Sequence, residues 1–130
     1  MTPMHRKCIL IVEDDEDLAD LLKMRLEEEG FAAHAVTQGS AGLSYASEHQ
    51  LDLVILDLRL PDISGLEVAK ALRRIYHPWV LPLLMLTGLD KPVDQLRGFS
   101  HGADAYLTKP YDPEELLKTI NLLVGEQSPN

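Results

Sequence analysis

The sequence predicts an α/β fold with a doubly wound parallel sheet, and three observations carry that reading. Short apolar runs alternate with segments of helical period five times along the chain. The runs are near-continuous rather than alternating, as strands covered on both faces should be. Polar residues able to do chemistry gather just beyond the ends of those runs.

The elements follow in order. "CILIV" (Cys8–Val12) reads as a buried strand, with Cys8 a small apolar filler at its start. "DLADLLKMRLEEEG" puts Leu18, Leu21, Leu22 and Leu26 at helical spacing and stops at Gly30. "FAAHAV" (Phe31–Val36) is a weaker strand, and "AGLSYASEH" a short helix after it. "LDLVIL" (Leu51–Leu56) is the third strand and "LEVAKALRRI" (Leu66–Ile75) the third helix. "LPLLML" (Leu81–Leu86) is the fourth strand, with Pro82 restricting its first residues. "VDQLRGFS" is a modest helix, and "DAYLT" (Asp104–Thr108) the last strand. "PEELLKTINLLV" closes the pattern, with Leu116, Leu117, Ile120, Leu123 and Val124 on one stripe and Pro113 in the first turn.

Bulk properties narrow the function class. A chain of 130 residues suits one domain with a single core, running from about residue 7 to 124 between short tails. The net charge of −9 argues against nucleic acid or anionic membrane as a direct partner. No apolar stretch approaches the roughly 20 residues that span a bilayer, and "CILIV" is too short for a signal-peptide core. The expected location is therefore cytoplasmic. One cysteine excludes an internal disulfide, and the five histidines lack ligand-like spacing. "YHPWVLP" places Trp79 in a loop, where it caps the core or meets a partner.

In a doubly wound sheet, ligands bind outside the carboxyl ends of the strands. The first strand ends in Glu13, Asp14 and Asp15, and the third ends at Asp57. The fourth ends in Thr87 and Gly88, and the fifth in Lys109 and Pro110. Each is unremarkable alone: acids start helices, an aspartate caps a turn, and lysines sit on surfaces. Together they converge on one rim. Phosphoryl transfer onto a carboxylate uses such a set, with the aspartate as nucleophile. A divalent cation bound by oxygen ligands lets an anionic donor approach the acids. A lysine and a hydroxyl then meet the phosphoryl oxygens.

The motifs "ILIVEDDEDL", "LVILDLRLPDISGLE", "LLMLTG" and "GADAYLTKPYDPEEL" resemble those of the response-regulator receiver domains of bacterial two-component signalling, in their usual order and spacing. The resemblance covers Lys7 to about Val124. It implies a flavodoxin-like (βα)5 sandwich of strand order 2-1-3-4-5. It implies that Asp57 accepts a phosphoryl group, that Glu13 and Asp14 hold Mg2+ (or Mn2+), and that the backbone carbonyl of Arg59 completes the metal site. Asp15 falls outside the ligand set. Thr87 and Tyr106 match the switch residues, Lys109 matches the family's lysine, and the Lys109–Pro110 bond is expected to be cis. The implied donor is a sensor histidine kinase or a histidine phosphotransfer protein. The implied output is a changed surface for a downstream protein.

Some positions depart from the commonest pattern. Gly88 stands where alanine is more usual. Arg59 is a long cation beside the site, placed to pair with Glu13 or to influence water attack on the phosphoryl group. Ala105 and Thr119 occupy places that carry charges in the dimer face of the DNA-binding subgroup with winged-helix outputs, so that dimer mode is not expected. Three other functions share parts of this pattern. A module that binds partners without phosphorylation would lack the aspartate or the lysine, and both are present. A haloacid-dehalogenase hydrolase would place an acid two residues after the nucleophile, where Arg59 stands. A flavodoxin-like carrier would offer amides and hydroxyls to its phosphate, where "EDDED" would repel it.

Overall fold

The computed structural model describes residues 6–76 and 80–125. Five strands alternate with five helices: β1 Cys8–Val12, α1 Glu16–Glu28, β2 Ala32–Val36, α2 Gly39–Glu48 and β3 Leu53–Leu56. Then come α3 Gly65–Ile75, β4 Leu83–Thr87, α4 Pro92–Ser100, β5 Ala105–Thr108 and α5 Pro113–Val124. The strands form one parallel sheet in the order β2-β1-β3-β4-β5, as expected from the resemblance.

Side chains on successive strand residues point to opposite faces, so each strand feeds two cores. Ile9, Ile11, Leu53, Ile55, Leu84 and Leu86 pack with Leu22 and Leu26 of α1 and Leu116 and Ile120 of α5. Leu10, Val12, Val54, Leu56, Leu83 and Met85 pack on the other face with Ala46 of α2 and Val68, Ala69 and Leu72 of α3. This two-sided covering explains why the central strands β3 and β4 are buried throughout. The outer strands β2 and β5 are only half-buried.

Element boundaries shift from the sequence expectation for local reasons. β3 starts at Leu53 rather than Leu51, because the Asp52 carboxylate itself accepts the Cys8 amide at 2.7 Å. β4 starts after Pro82, which has no amide to donate and offers only its carbonyl, to Val54 at 3.1 Å. β4 also runs one residue further than expected, so Thr87 is its last residue. α1 starts at Glu16 because the Asp15 side chain caps it, accepting from the amides of Asp17 and Leu18. Cys8 is half-buried rather than fully buried. Trp79 and its proposed contact lie outside the described residues.

At the amino end of the sheet, Arg73 of α3 ties three elements together. Its guanidinium donates to the carbonyls of Gly102 and Leu81 and to the Asp104 carboxylate, at 2.6–3.0 Å. Asp104 in turn accepts the Leu83 amide at 2.8 Å. The Arg73 side chain is only 13% exposed, so solvent screens these bonds weakly. Arg73→Ala is expected to lower stability by about 2 kcal/mol, since hydrogen bonds to charged groups are strong and their loss strands the acceptors. Urea unfolding checks this, and an unchanged midpoint would contradict it.

Candidate functional site

The carboxyl ends of the strands hold the site, and the ladder hydrogen bonds continue one residue past three of them. The Glu13 amide donates to the Val36 carbonyl at 3.0 Å, and the Asp57 amide to Val12 at 2.9 Å. The Lys109 amide donates to the Thr87 carbonyl at 2.8 Å. The side chains of Glu13, Asp57 and Lys109 therefore spring from backbone as fixed as the sheet itself. Thr87 is the last strand residue and fully buried. The Lys109–Pro110 peptide is cis.

Glu13 and Asp57 are each only 5% exposed, an unusual place for two carboxylates. Lys109 answers both. Its ammonium donates to Asp57 Oδ2 at 2.8 Å and also to Glu13 Oε1. The second oxygen of each acid takes a backbone amide: Asp57 Oδ1 from Arg59 at 3.0 Å, and Glu13 Oε2 from Asp15 at 3.2 Å. The expected pairing of Arg59 with Glu13 is thus corrected: Lys109 is the cation that Glu13 meets, and Arg59 reaches the site through its amide. Asp14 is exposed. Glu13, Asp14 and Asp57 each bring one carboxylate oxygen to within 4.8 Å of the others.

Burial pushes the Glu13 carboxyl up to about 7, helped by the charge of Asp57, although Lys109 and the Asp15 amide work against it. Burial also works to raise Asp57. There the Lys109 ammonium, the Arg59 amide and the Thr87 hydroxyl win, and the carboxyl lies below its ordinary value. Burial works to lower Lys109, and the two carboxylates outweigh it and hold the ammonium above its usual range. With one cation between two buried acids, Asp57 is held below its ordinary value and Glu13 above it.

The chain matches the family described as the response regulator receiver domain over residues 9–121. It belongs to that family. It is 41% identical over 116 residues to the DNA-binding dual master transcriptional regulator RpaA of Synechocystis, covering 89% of this chain and 48% of that protein. It is 43% identical over 116 residues to the sensory transduction protein RegX3 of Mycobacterium tuberculosis, covering 89% of this chain and 50% of that one. The chain thus spans about half the length of the curated relatives it matches. Among solved structures, the CheY-like receiver protein from Methanospirillum hungatei superposes with a TM-score of 0.85 at 31% identity, covering 91% of this chain and 93% of that one. The BeF3-activated N-terminal receiver domain of Klebsiella pneumoniae RstA gives 0.86 at 26% identity, covering 92% of this receiver and all of that chain.

Two features of the receiver were not read from sequence. Gly65 opens α3 where a Cβ would lie 2.3 Å from the Asp57 carbonyl oxygen, so no side chain fits there without moving the Asp57 backbone. The Tyr106 hydroxyl donates to the Leu89 carbonyl at 2.7 Å, and the Leu89 amide donates weakly to the Thr87 hydroxyl at 3.4 Å. Burial, with Asp94, Asp57 and Asp90 nearby, pushes the Tyr106 phenol up to about 12, so it remains a donor. The partner of Tyr106 is not visible in a periodicity, because a carbonyl 17 residues away in sequence leaves no residue-type signal.

Proposed function

We propose that this receiver is a phosphorylation-dependent signalling switch whose phosphoryl acceptor is Asp57. The carrying observation is the buried Asp57 carboxylate held by Lys109 beside two further acids. A sensor histidine kinase or a histidine phosphotransfer protein supplies the phosphoryl group. A carboxylate oxygen of Asp57 bonds to phosphorus as the phosphorus–nitrogen bond of the donor breaks, and its electrons return to the imidazole. The chain catalyses only its own phosphorylation and dephosphorylation.

Glu13, Asp14, Asp57 and the backbone carbonyl of Arg59 are the residues that would hold a cation. Their donors are all oxygens, which suits Mg2+ or Mn2+ rather than a softer metal. When bound, the cation supplies charge that offsets the anionic donor. Lys109 is already within reach of Asp57 and would neutralise a phosphoryl oxygen. The same acids supply no amide cradle for a flavin phosphate.

Thr87 then connects the site to a surface. Drawn toward a phosphoryl oxygen, its hydroxyl leaves the Leu89 amide. The β4–α4 loop follows, and the Leu89 carbonyl releases Tyr106 to turn inward. Val93, Leu96 and Phe99 of α4 are exposed, and the Phe99 and Tyr106 ring centroids lie 6.3 Å apart. This surface would change its affinity for a downstream protein. With a net charge of −9, this chain itself is not read as the part that would touch nucleic acid. Among the described residues no helix is long and apolar enough to cross a membrane. A cytoplasmic receiver, folded as one domain, fits this reading.

Beryllofluoride with Mg2+, a phosphoryl mimic, tests the switch by NMR. Wild type should shift resonances both around Asp57 and across α4–β5. Thr87→Ala should keep the first set and lose most of the second. Remote shifts that persist in Thr87→Ala would contradict the coupling.

A further inference from the structure

We propose that Asp62 is a positioning residue that latches the acceptor loop to α2 and so sets the geometry of the cation site. The inference rests on the metal-site reading above and gives a role to a residue to which the sequence motifs assign none.

α2 begins without a cap of its own, since the side chain of its N-cap residue Gln38 makes no capping hydrogen bond. The free amides are answered from the β3–α3 loop. Asp62 Oδ1 accepts from Gly39 at 2.8 Å and Oδ2 from Ser40 at 2.9 Å. Both oxygens are committed, and a carboxylate at a helix N-terminus also suits the helix dipole. Hydrogen bonds from Ser40 and the Gly39 and Ile63 amides hold the Asp62 carboxyl well below the usual carboxylate range, so the latch stays charged. Next to it, the loop presses directly on the helix. A Cβ at Gly39 would lie 2.7 Å from Ile63 Cγ1 and 2.8 Å from Val68 Cγ2, so only glycine permits this approach.

The other side of the loop is closed on the acceptor. The Gly65 amide donates to the Leu58 carbonyl at 2.9 Å, and the Arg59 amide to Asp57 Oδ1 at 3.0 Å. Arg59 therefore lies in a short loop pinned at its base by Gly65 and at its tip by Asp62. Freeing the tip lets the Arg59 peptide turn, and both its amide on Asp57 and its carbonyl toward the cation lose their fixed place. Groups that hydrogen-bond directly to a metal's ligands carry roughly 10- to 100-fold in metal affinity, and Asp62, which acts through the loop, is assigned the low end of that range.

Hydrogen–deuterium exchange of the metal-free chain and calorimetric titration with Mg2+ test the proposal on four proteins. These are wild type, Asp62→Ala, Asp62→Asn and Ala46→Gly, the last weakening α2 at a buried position away from the loop. Asp62→Ala should speed exchange at the Arg59 and Gly65 amides and weaken Mg2+ binding about tenfold. Asp62→Asn, keeping one acceptor oxygen, should fall between, and Ala46→Gly should stay within about twofold of wild type in both readouts. Unchanged exchange and affinity in Asp62→Ala would overturn the proposal, as would equal changes in Ala46→Gly. If wild type does not bind Mg2+ while Asp62→Ala still loosens Arg59, the latch stands and the metal reading falls.

Discussion

Lys109→Ala is expected to slow phosphorylation of Asp57 by about 100-fold, the loss typical of removing one preorganised donor from a developing charge. The same variant should reveal how the site divides its protons. Burial is the largest influence on Asp57 and acts to raise it, and Lys109 is the largest opposing one. Without the ammonium, burial prevails and the Asp57 carboxyl climbs above its ordinary value. In wild type a depressed Asp57 contributes stability above its unfolded value near 4, lost as pH falls through the folded value. In the variant the sign reverses: a raised carboxyl costs stability as pH rises. Lys109→Ala should therefore be destabilised by about 3 kcal/mol near pH 8, because it leaves buried carboxylates without their cation, and by clearly less at pH 5. Urea unfolding across that range, with stopped-flow phosphorylation alongside, checks both halves. Phosphorylation at the wild-type rate would contradict the role given to Lys109.

Glu13→Gln carries the second large effect, and it is a gain. In the metal-free protein Glu13 titrates near 7 against an ordinary value of 4.5. Between those values the folded chain keeps a proton that the unfolded chain releases. Its contribution to stability is thus fully present below about 4.5 and is lost as pH rises through 7. The loss amounts to roughly 3 kcal/mol at most. Wild type in a chelator should become less stable from pH 5 to 7.5, whereas Glu13→Gln should remain nearly level. His34 titrates nearby, its ring held below the ordinary value by burial, Lys23 and His49, but it does so in both proteins. The difference between the two curves therefore isolates Glu13. Parallel slopes would show that the glutamate is not the proton holder. The stability surrendered near neutral pH fits a site that gathers acids for a cation rather than for folding.

The sheet was legible because its central strands are buried on both faces, so the runs "CILIV", "LVIL" and "LPLLML" stand out as apolar without alternation. The candidate site was legible for a related reason. Glu13, Asp57 and Lys109 each follow directly on a strand whose end the sequence marks, and a parallel sheet brings all such ends to one rim. What escaped the sequence depends on partners distant along the chain. The start of α2 was misplaced because its cap is Asp62, from another loop, while Gln38 beside it offers no signal. Arg59 was expected to meet Glu13 because it is charged and stands near Asp57 in sequence. The structure gives that place to Lys109, whose backbone is fixed by β4, whereas Arg59 is exposed and engages Asp57 by its amide. The Leu89 carbonyl under Tyr106 could not be read from residue type, since every residue has one.

The most direct measurement is intact mass after incubation with acetyl phosphate and Mg2+, run beside Asp57→Asn and a sample in EDTA. A single phosphoryl adduct is expected on wild type and none on either control, with beryllofluoride binding as the companion readout where hydrolysis is fast. An adduct that survives in Asp57→Asn, or a wild type that takes neither phosphoryl group nor beryllofluoride, would contradict this expectation.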